Sequence, residues 1–257
     1  MLVLLSCAKT MSAVSKVKVP LTTIPRFQKE AAEIALQMSQ FSVDELERLL
    51  RVNAKIAVEN YKRYQAFHAE TTPELPALLA YTGIVFKRLN PKDFSAEDFG
   101  YAQEHLRLTS FCYGLLRPLD VIRAYRLEGD VVLPELGNQT LFSYWRSRLT
   151  DTFIEDIKKA GGILCNLASD EMKSLFDWKR VESEVRVVTP EFHVWKNGKL
   201  ATIVVYTKMS RGEMTRFILK NKIGNPEELK GFSWEGFEFD ESLSDERKLV
   251  FINGMGE

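Results

Sequence analysis

Three short apolar runs constrain the fold most: Leu2-Val3-Leu4-Leu5, Leu108 to Tyr113, and Ile163-Leu164-Cys165-Asn166-Leu167. None alternates with polar residues, so each reads as a strand buried on both faces. Each is followed by a polar loop, and stretches of helical periodicity separate them. Strands alternating with helices predict an α/β fold whose mixed inner sheet is mainly parallel. The chain from Val185 onward differs. Val185–Val188, Phe192–Trp195, Leu200–Tyr206, Glu235–Phe239 and Leu249–Ile252 read as short strands around one helix, Gly212–Lys222, which makes the C-terminal part strand-rich.

Between these parts the pattern predicts helices over Phe27–Gln40, Val43 to about Phe67, a segment ending near Arg107, and Thr140–Lys159. Ser42 with Glu45, and Ser95 with Asp98, have the spacing of capping boxes, in which hydroxyl and carboxylate each satisfy an end-of-helix donor. Pro73 and Pro76 interrupt the helical pattern. Residues 26–69 thus form an N-terminal helical element within an expected single domain, 1–257. A chain of 257 residues buries enough surface to fold without disulfides or a structural metal.

Thirty-five Lys and Arg balance thirty-five Asp and Glu, so no global field draws the protein to nucleic acid or to anionic membrane. Cys7, Cys112 and Cys165 are odd in number and far apart, which argues for a reducing compartment. The opening Met1–Leu5 is too short for a leader's apolar core, and no run approaches a membrane span. A cytoplasmic protein without membrane contact is expected. His68, His105 and His193 are as dispersed as the cysteines, no pair has metal-ligand spacing, and no metal site or particular cofactor is predicted.

Ligands of open α/β sheets collect at the carboxyl ends of strands. The loop Ser6-Cys7-Ala8-Lys9-Thr10 offers hydroxyls, a thiol and a cation there. The second run leads through Tyr113 and Gly114 to Arg117, a fork for an anion that Asp120 can fix. The third leads through Asn166 to Ser169, Asp170 and Glu171. Each loop alone reads equally well as a turn or a helix cap. Together they predict one pocket at a single sheet edge and, as an alternative function, an enzyme acting there on a nucleotide or nucleobase. Lys9 and Arg117 would hold the anion, Ser6 or Thr10 would orient it, and Asp170 or Glu171 would act as acid or base.

Four strings, LLSCAKT at the start, HLRLTSFCYGLLRPLDVIRAYRLE from His105, NLASDE from Asn166 and YTKMSRGEMTRFI from Tyr206, resemble the YaaA family in order along the chain. The chain departs from the family pattern at Cys7, where the pattern has Pro, and at Gly83-Ile84-Val85-Phe86, where it has Gly-Asp-Val-Tyr. The resemblance implies a cytosolic bacterial protein made under peroxide stress. It also implies restraint of free iron and DNA binding through a helix-hairpin-helix-like element on an unusual α/β fold.

Helix-hairpin-helix elements read Leu-Pro-Gly-Ile-Gly-Pro-Lys-x-Ala, and Leu49-Leu50-Arg51-Val52-Asn53-Ala54-Lys55-Ile56-Ala57 matches at Leu49, Lys55 and Ala57, with Arg51 and Asn53 replacing the glycines. A hairpin and a continuous helix from Val43 compete here. Arg48, Arg51, Lys55 and Lys62, spaced by 3, 4 and 7, form a stripe along one helix face that is expected to survive either geometry. With Asn53 they predict weak binding to double-stranded DNA without sequence preference, since phosphate contacts carry no sequence information. The basic stretch Lys208–Lys222 is a second candidate surface. The tail from Pro226 carries nine acids and three bases and should repel DNA.

Overall fold

The computed structural model describes residues 1–196 and 198–254. Its centre is a mixed, largely parallel sheet of eight strands. We number them β1 (Leu2–Leu5), β2 (Leu106–Ser110), β3 (Gly114–Leu116), β4 (Ile163–Asn166), β5 (Arg186–Lys196), β6 (Lys199–Ala201), β7 (Phe237–Phe239) and β8 (Lys248–Asn253). The order across the sheet is β7-β8-β5-β4-β1-β2-β3, with β6 paired to β5. β1 lies between β2 and β4, parallel to both, with Val3 opposite Leu106 and Cys165. All four of its residues are buried, as an unbroken apolar run in a central parallel strand requires.

The second run is the first departure from the expected pattern. The helix before it continues to His105, the strand is Leu106–Ser110, and the chain then reverses into β3, antiparallel to β2 with Ser110 opposite Gly114. Gly114 has φ +70°, and a Cβ there would meet Trp145 at 2.8 Å, so only glycine fits this turn. β3 therefore carries the chain back toward the amino ends of the parallel strands.

The helices are α1 (Gln28–Met38), α2 (Val43–Leu50), α3 (Ala54–Ala66), α4 (Ile84–Leu89), α5 (Ala96–His105), α6 (Leu141–Lys159), α7 (Asp170–Lys173), α8 (Trp178–Glu184) and α9 (Val204–Asn221), and Ala77–Ala80 forms one further turn. Both capping boxes form, at Ser42 with Glu45 and at Ser95 with Asp98. The continuous helix from Val43 does not. Arg51 takes the left-handed conformation at φ 50°, Val52 N–H donates to the Glu47 carbonyl, and Asn53 caps α3 by accepting from Ile56 N–H at 3.0 Å. Two separate helices, α2 and α3, thus meet at a short turn through Arg51 and Val52.

Two further expectations change at the C-terminal end. Val185–Val188 and Phe192–Trp195 are parts of the single strand β5, in which Pro190 pairs with Leu249 of β8 beyond the last β4 pair, Val188 with Cys165. Leu200–Tyr206 is only briefly a strand, because α9 already begins at Val204. One continuous cluster of buried apolar side chains runs from β1 through the helical element to β8. No described helix is long and apolar enough to cross a membrane.

Candidate functional site

A cavity of about 320 Å³ lies at the carboxyl edge of the parallel strands. The Ser6–Thr10 loop runs along it, tied down at both sides. Cys7 N–H donates to the Thr109 hydroxyl at 3.2 Å on the β2 side, and Leu167 N–H donates to the Leu4 carbonyl on the β4 side. Ser169 N–H donates to Ser6 Oγ at 2.9 Å, and the two hydroxyls stand 3.3 Å apart. The first and third predicted loops therefore do meet. Ser6, Cys7, Lys9, Thr10, Ser169 and Glu171 all line the cavity.

The second loop does not join them. Because β3 is antiparallel, Arg117 is carried toward the amino end of the parallel strands. There Asp120 binds it through Nε at 3.2 Å and Nη2 at 2.9 Å, and Leu119 N–H donates to Gln103 at the end of α5. Tyr113 and Gly114 go to packing: the Tyr113 hydroxyl accepts from Arg123 N–H at 3.0 Å, and Gly114 lies against Trp145. Asn166 is buried, and its side chain accepts from Ala168 N–H at 3.2 Å. Asp170 points to solvent with its side chain 91% exposed and pairs with Lys173 at 2.8 Å. None of these five lines the cavity, so the expected anion clamp of Lys9 with Arg117 and the acid role of Asp170 are not formed.

Other cations take their place. Arg126, from the segment after β3, and Lys208 and Arg211, from α9, line the cavity with Lys9. Lys9 pairs with the buried carboxylate of Glu128 at 2.8 Å, and Arg126 reaches the same carboxylate at 3.5 Å. Lys208 and Arg211 form no ion pair among the described residues. Nε of Arg126 and Nε of Arg211 are both buried without a hydrogen-bond partner. A buried donor left unpaired costs about 1–3 kcal/mol, so the protein maintains two such costs at one cavity. Burial lowers the Arg211 guanidinium from its ordinary value, with Asp170 pulling the other way. The rest of the lining is largely apolar and includes Leu5, Phe86, Phe111, Leu127, Leu167 and Met172.

The Tyr125 hydroxyl bonds to those of Tyr81 at 2.8 Å and Ser110 at 2.6 Å. Burial raises both phenols well above their ordinary values, so they stay protonated. Burial also pushes the Cys7 thiol up to about 12, with the Thr109 hydroxyl pulling the other way. Among the described residues, no group of three or more His, Cys, Asp or Glu could hold a metal ion.

The sequence contained Arg126, Lys208 and Arg211 within strings already singled out, but without a role for them. Lys208 and Arg211 belong to the stretch expected to face DNA, and the rest of that stretch is occupied. Arg216 pairs with Asp93 at 2.5 Å, Lys220 with Asp98 at 2.8 Å, and Lys222 with Glu97. On the α2–α3 hairpin, Arg51 pairs with Asp130 at 2.5 Å. Arg48, Lys55 and Lys62 are exposed and have no ion pair among the described residues. The stripe expected under either geometry is distributed over two helices, with Arg51 at the turn between them and Asn53 spent as a cap.

Fold and site define an α/β protein with a cationic cavity at the carboxyl edge of its sheet and a separate basic helical hairpin. The chain belongs to the YaaA peroxide stress protein family, whose model, described as Peroxide stress protein YaaA, matches residues 1–243. Its relatives are named UPF0246 proteins. One from Bacteroides thetaiotaomicron is 98% identical over the full length of both chains. One from Bacteroides fragilis is 79% identical over the same full lengths. A third, from Crocosphaera subtropica, is 38% identical over 98% of this chain and all of its own. Cys7, Ile84, Val85 and Phe86 also line the cavity.

Proposed function

We propose that, within the family's peroxide-stress role, this protein acts in the cytoplasm, binds duplex DNA through the α2–α3 hairpin and limits iron-driven damage to it. The observation that carries the reading is the pair of helices itself: Arg51 turns the chain in the left-handed conformation while Arg48, Lys55 and Lys62 stay exposed, without an ion pair among the described residues. Three such cations on a convex element suit phosphates and carry no base preference. The restraint of iron that the resemblance implies has a physical rationale, since less free ferrous iron means fewer hydroxyl radicals at DNA.

The test is the anisotropy of a labelled duplex titrated at several salt concentrations. Three neutralised phosphates give a slope of about −2.7 for log K against log salt. The double variant Lys55→Ala, Lys62→Ala should flatten it to about −1. Equal slopes for the two proteins would remove the hairpin from the mechanism.

A second reading is an enzyme acting on a nucleotide or nucleobase in the cavity. The unpartnered guanidinium nitrogens of Arg126 and Arg211 favour it, with Glu171 as the carboxylate lining the site.

A further inference from the structure

Among the described residues the cavity sets four cations, Lys9, Arg126, Lys208 and Arg211, against two carboxylates, Glu171 on its wall and Glu128 behind Lys9 and Arg126. Two positive charges are left over. A phosphate monoester carries about −1.5 to −2 at neutral pH, which matches that surplus, whereas a single carboxylate would leave half of it unmet. The donors are also of the right kind. Guanidinium forks bind phosphate oxygens in pairs, and a lysine adds a movable point charge. Arg211 makes no side-chain hydrogen bond to any described residue, and its terminal nitrogens, unlike the enclosed Nε, are accessible for a ligand.

The volume limits the rest of the ligand. About 320 Å³ is at the low end of the roughly 300–1,000 Å³ of small-molecule sites, which leaves room for one compact molecule and excludes a dinucleotide. The apolar lining of Phe86, Phe111, Leu127 and Met172 suits a flat apolar body. We infer that the cavity binds a nucleoside 5′-monophosphate, with Lys208, Arg211 and Arg126 on the phosphate and the base against the Phe86 and Phe111 wall. This rests on the second functional reading above and narrows it to a phosphorylated ligand held mainly from α9.

Calorimetric titration of the full chain with AMP, GMP, CMP and UMP, the corresponding nucleosides, and inorganic phosphate tests it. At least one monophosphate should bind at least about tenfold more tightly than its nucleoside and than phosphate. Arg211→Gln should weaken that monophosphate by at least about tenfold and leave the nucleoside unchanged. Lys208 is exposed, so Lys208→Gln is a folded second variant, and it should act in the same direction. Equal binding of nucleoside and monophosphate, unmoved by Arg211→Gln, would overturn the inference while leaving a nucleobase site standing. Phosphate binding as tightly as every monophosphate would reduce the cavity to an anion hole and overturn it too. No binding of any nucleoside or nucleotide at millimolar concentration would remove both the inference and the reading beneath it.

Discussion

Asp156 on α6 is buried where α6 meets β2 and Arg26, two residues before α1, and its replacement by Asn has a cost that the contacts set. Arg107 Nε donates to its carboxylate at 2.7 Å, and Arg26 donates through both Nη atoms at 3.2 and 3.3 Å. The side chains of Arg107 and Asp156 are only 8% and 4% exposed, so the variant leaves a buried guanidinium charge without its counter-charge. Breaking such a pair costs about 3–5 kcal/mol; the amide oxygen still accepts one hydrogen bond, which points to about 3 kcal/mol. Arg26 is 40% exposed and adds under about 1 kcal/mol. In urea, with an m of about 3 kcal/mol/M for a chain of this size, the midpoint should fall by about 1 M. Arg26→Gln should move it by less than about 0.3 M. Burial works to raise the Asp156 carboxyl, but the hydrogen bonds and charges of Arg107 and Arg26 more than reverse this and hold it below its ordinary value. Its stabilisation is therefore complete above the unfolded value of about 3.9 and is lost as pH falls through the lower, folded one. Midpoints of the two proteins should converge below about pH 4. A shift under 0.3 M at neutral pH, or a gap that does not close in acid, would refute the account.

Cys7 should be a slow thiol. At about 12 its thiolate fraction at pH 8 is on the order of one part in ten thousand, so iodoacetamide should label it at least about tenfold more slowly in the folded protein than in urea. Faster labelling in the native state would show an activated sulfur. Gly212→Ala should destabilise, because the added Cβ would meet the Val85 carbonyl at 2.3 Å and Arg88 Cβ at 2.7 Å where α9 crosses α4. Overpacking of about 1–3 kcal/mol lowers Tm by roughly 3–10 °C in a scan, and an unchanged or raised Tm would mean that the helices part freely.

Features governed by neighbours in the chain were legible. The two capping boxes and the buried run of β1 follow from hydrogen-bond and burial rules that act over a few residues. The break at Arg51 was harder, since a left-handed arginine is disfavoured and the glycines that mark such a turn are missing. The turn is secured by the Val52-to-Glu47 hydrogen bond and by Asn53 at the start of α3. Pro190, which cannot donate to a ladder, lies between the two strands expected there and inside the single strand that forms. It is tolerated because β4 has already ended at that level. Val204 and Val205 favour a strand by their branching, yet both are exposed in the first turn of α9, where packing of the later turns decides the conformation.

The site was half legible for a related reason. Ser6 and Ser169 follow strands that lie on either side of the same ladder, so parallel pairing alone brings them together. Arg117 was misplaced because a sequence does not say whether the strand after a glycine turn runs on or back, and here it runs back. Lys208 and Arg211 reach the cavity only through α9, whose position is set by partners far away in the chain. Asp93, Asp98 and Glu97 hold its C-terminal half through Arg216, Lys220 and Lys222, and Gly212 lets its middle approach α4. The five basic residues that read as one surface are thus divided by their neighbours. Three are neutralised and fix the helix, and that fixing places the remaining two, without an ion pair among the described residues, at the cavity wall.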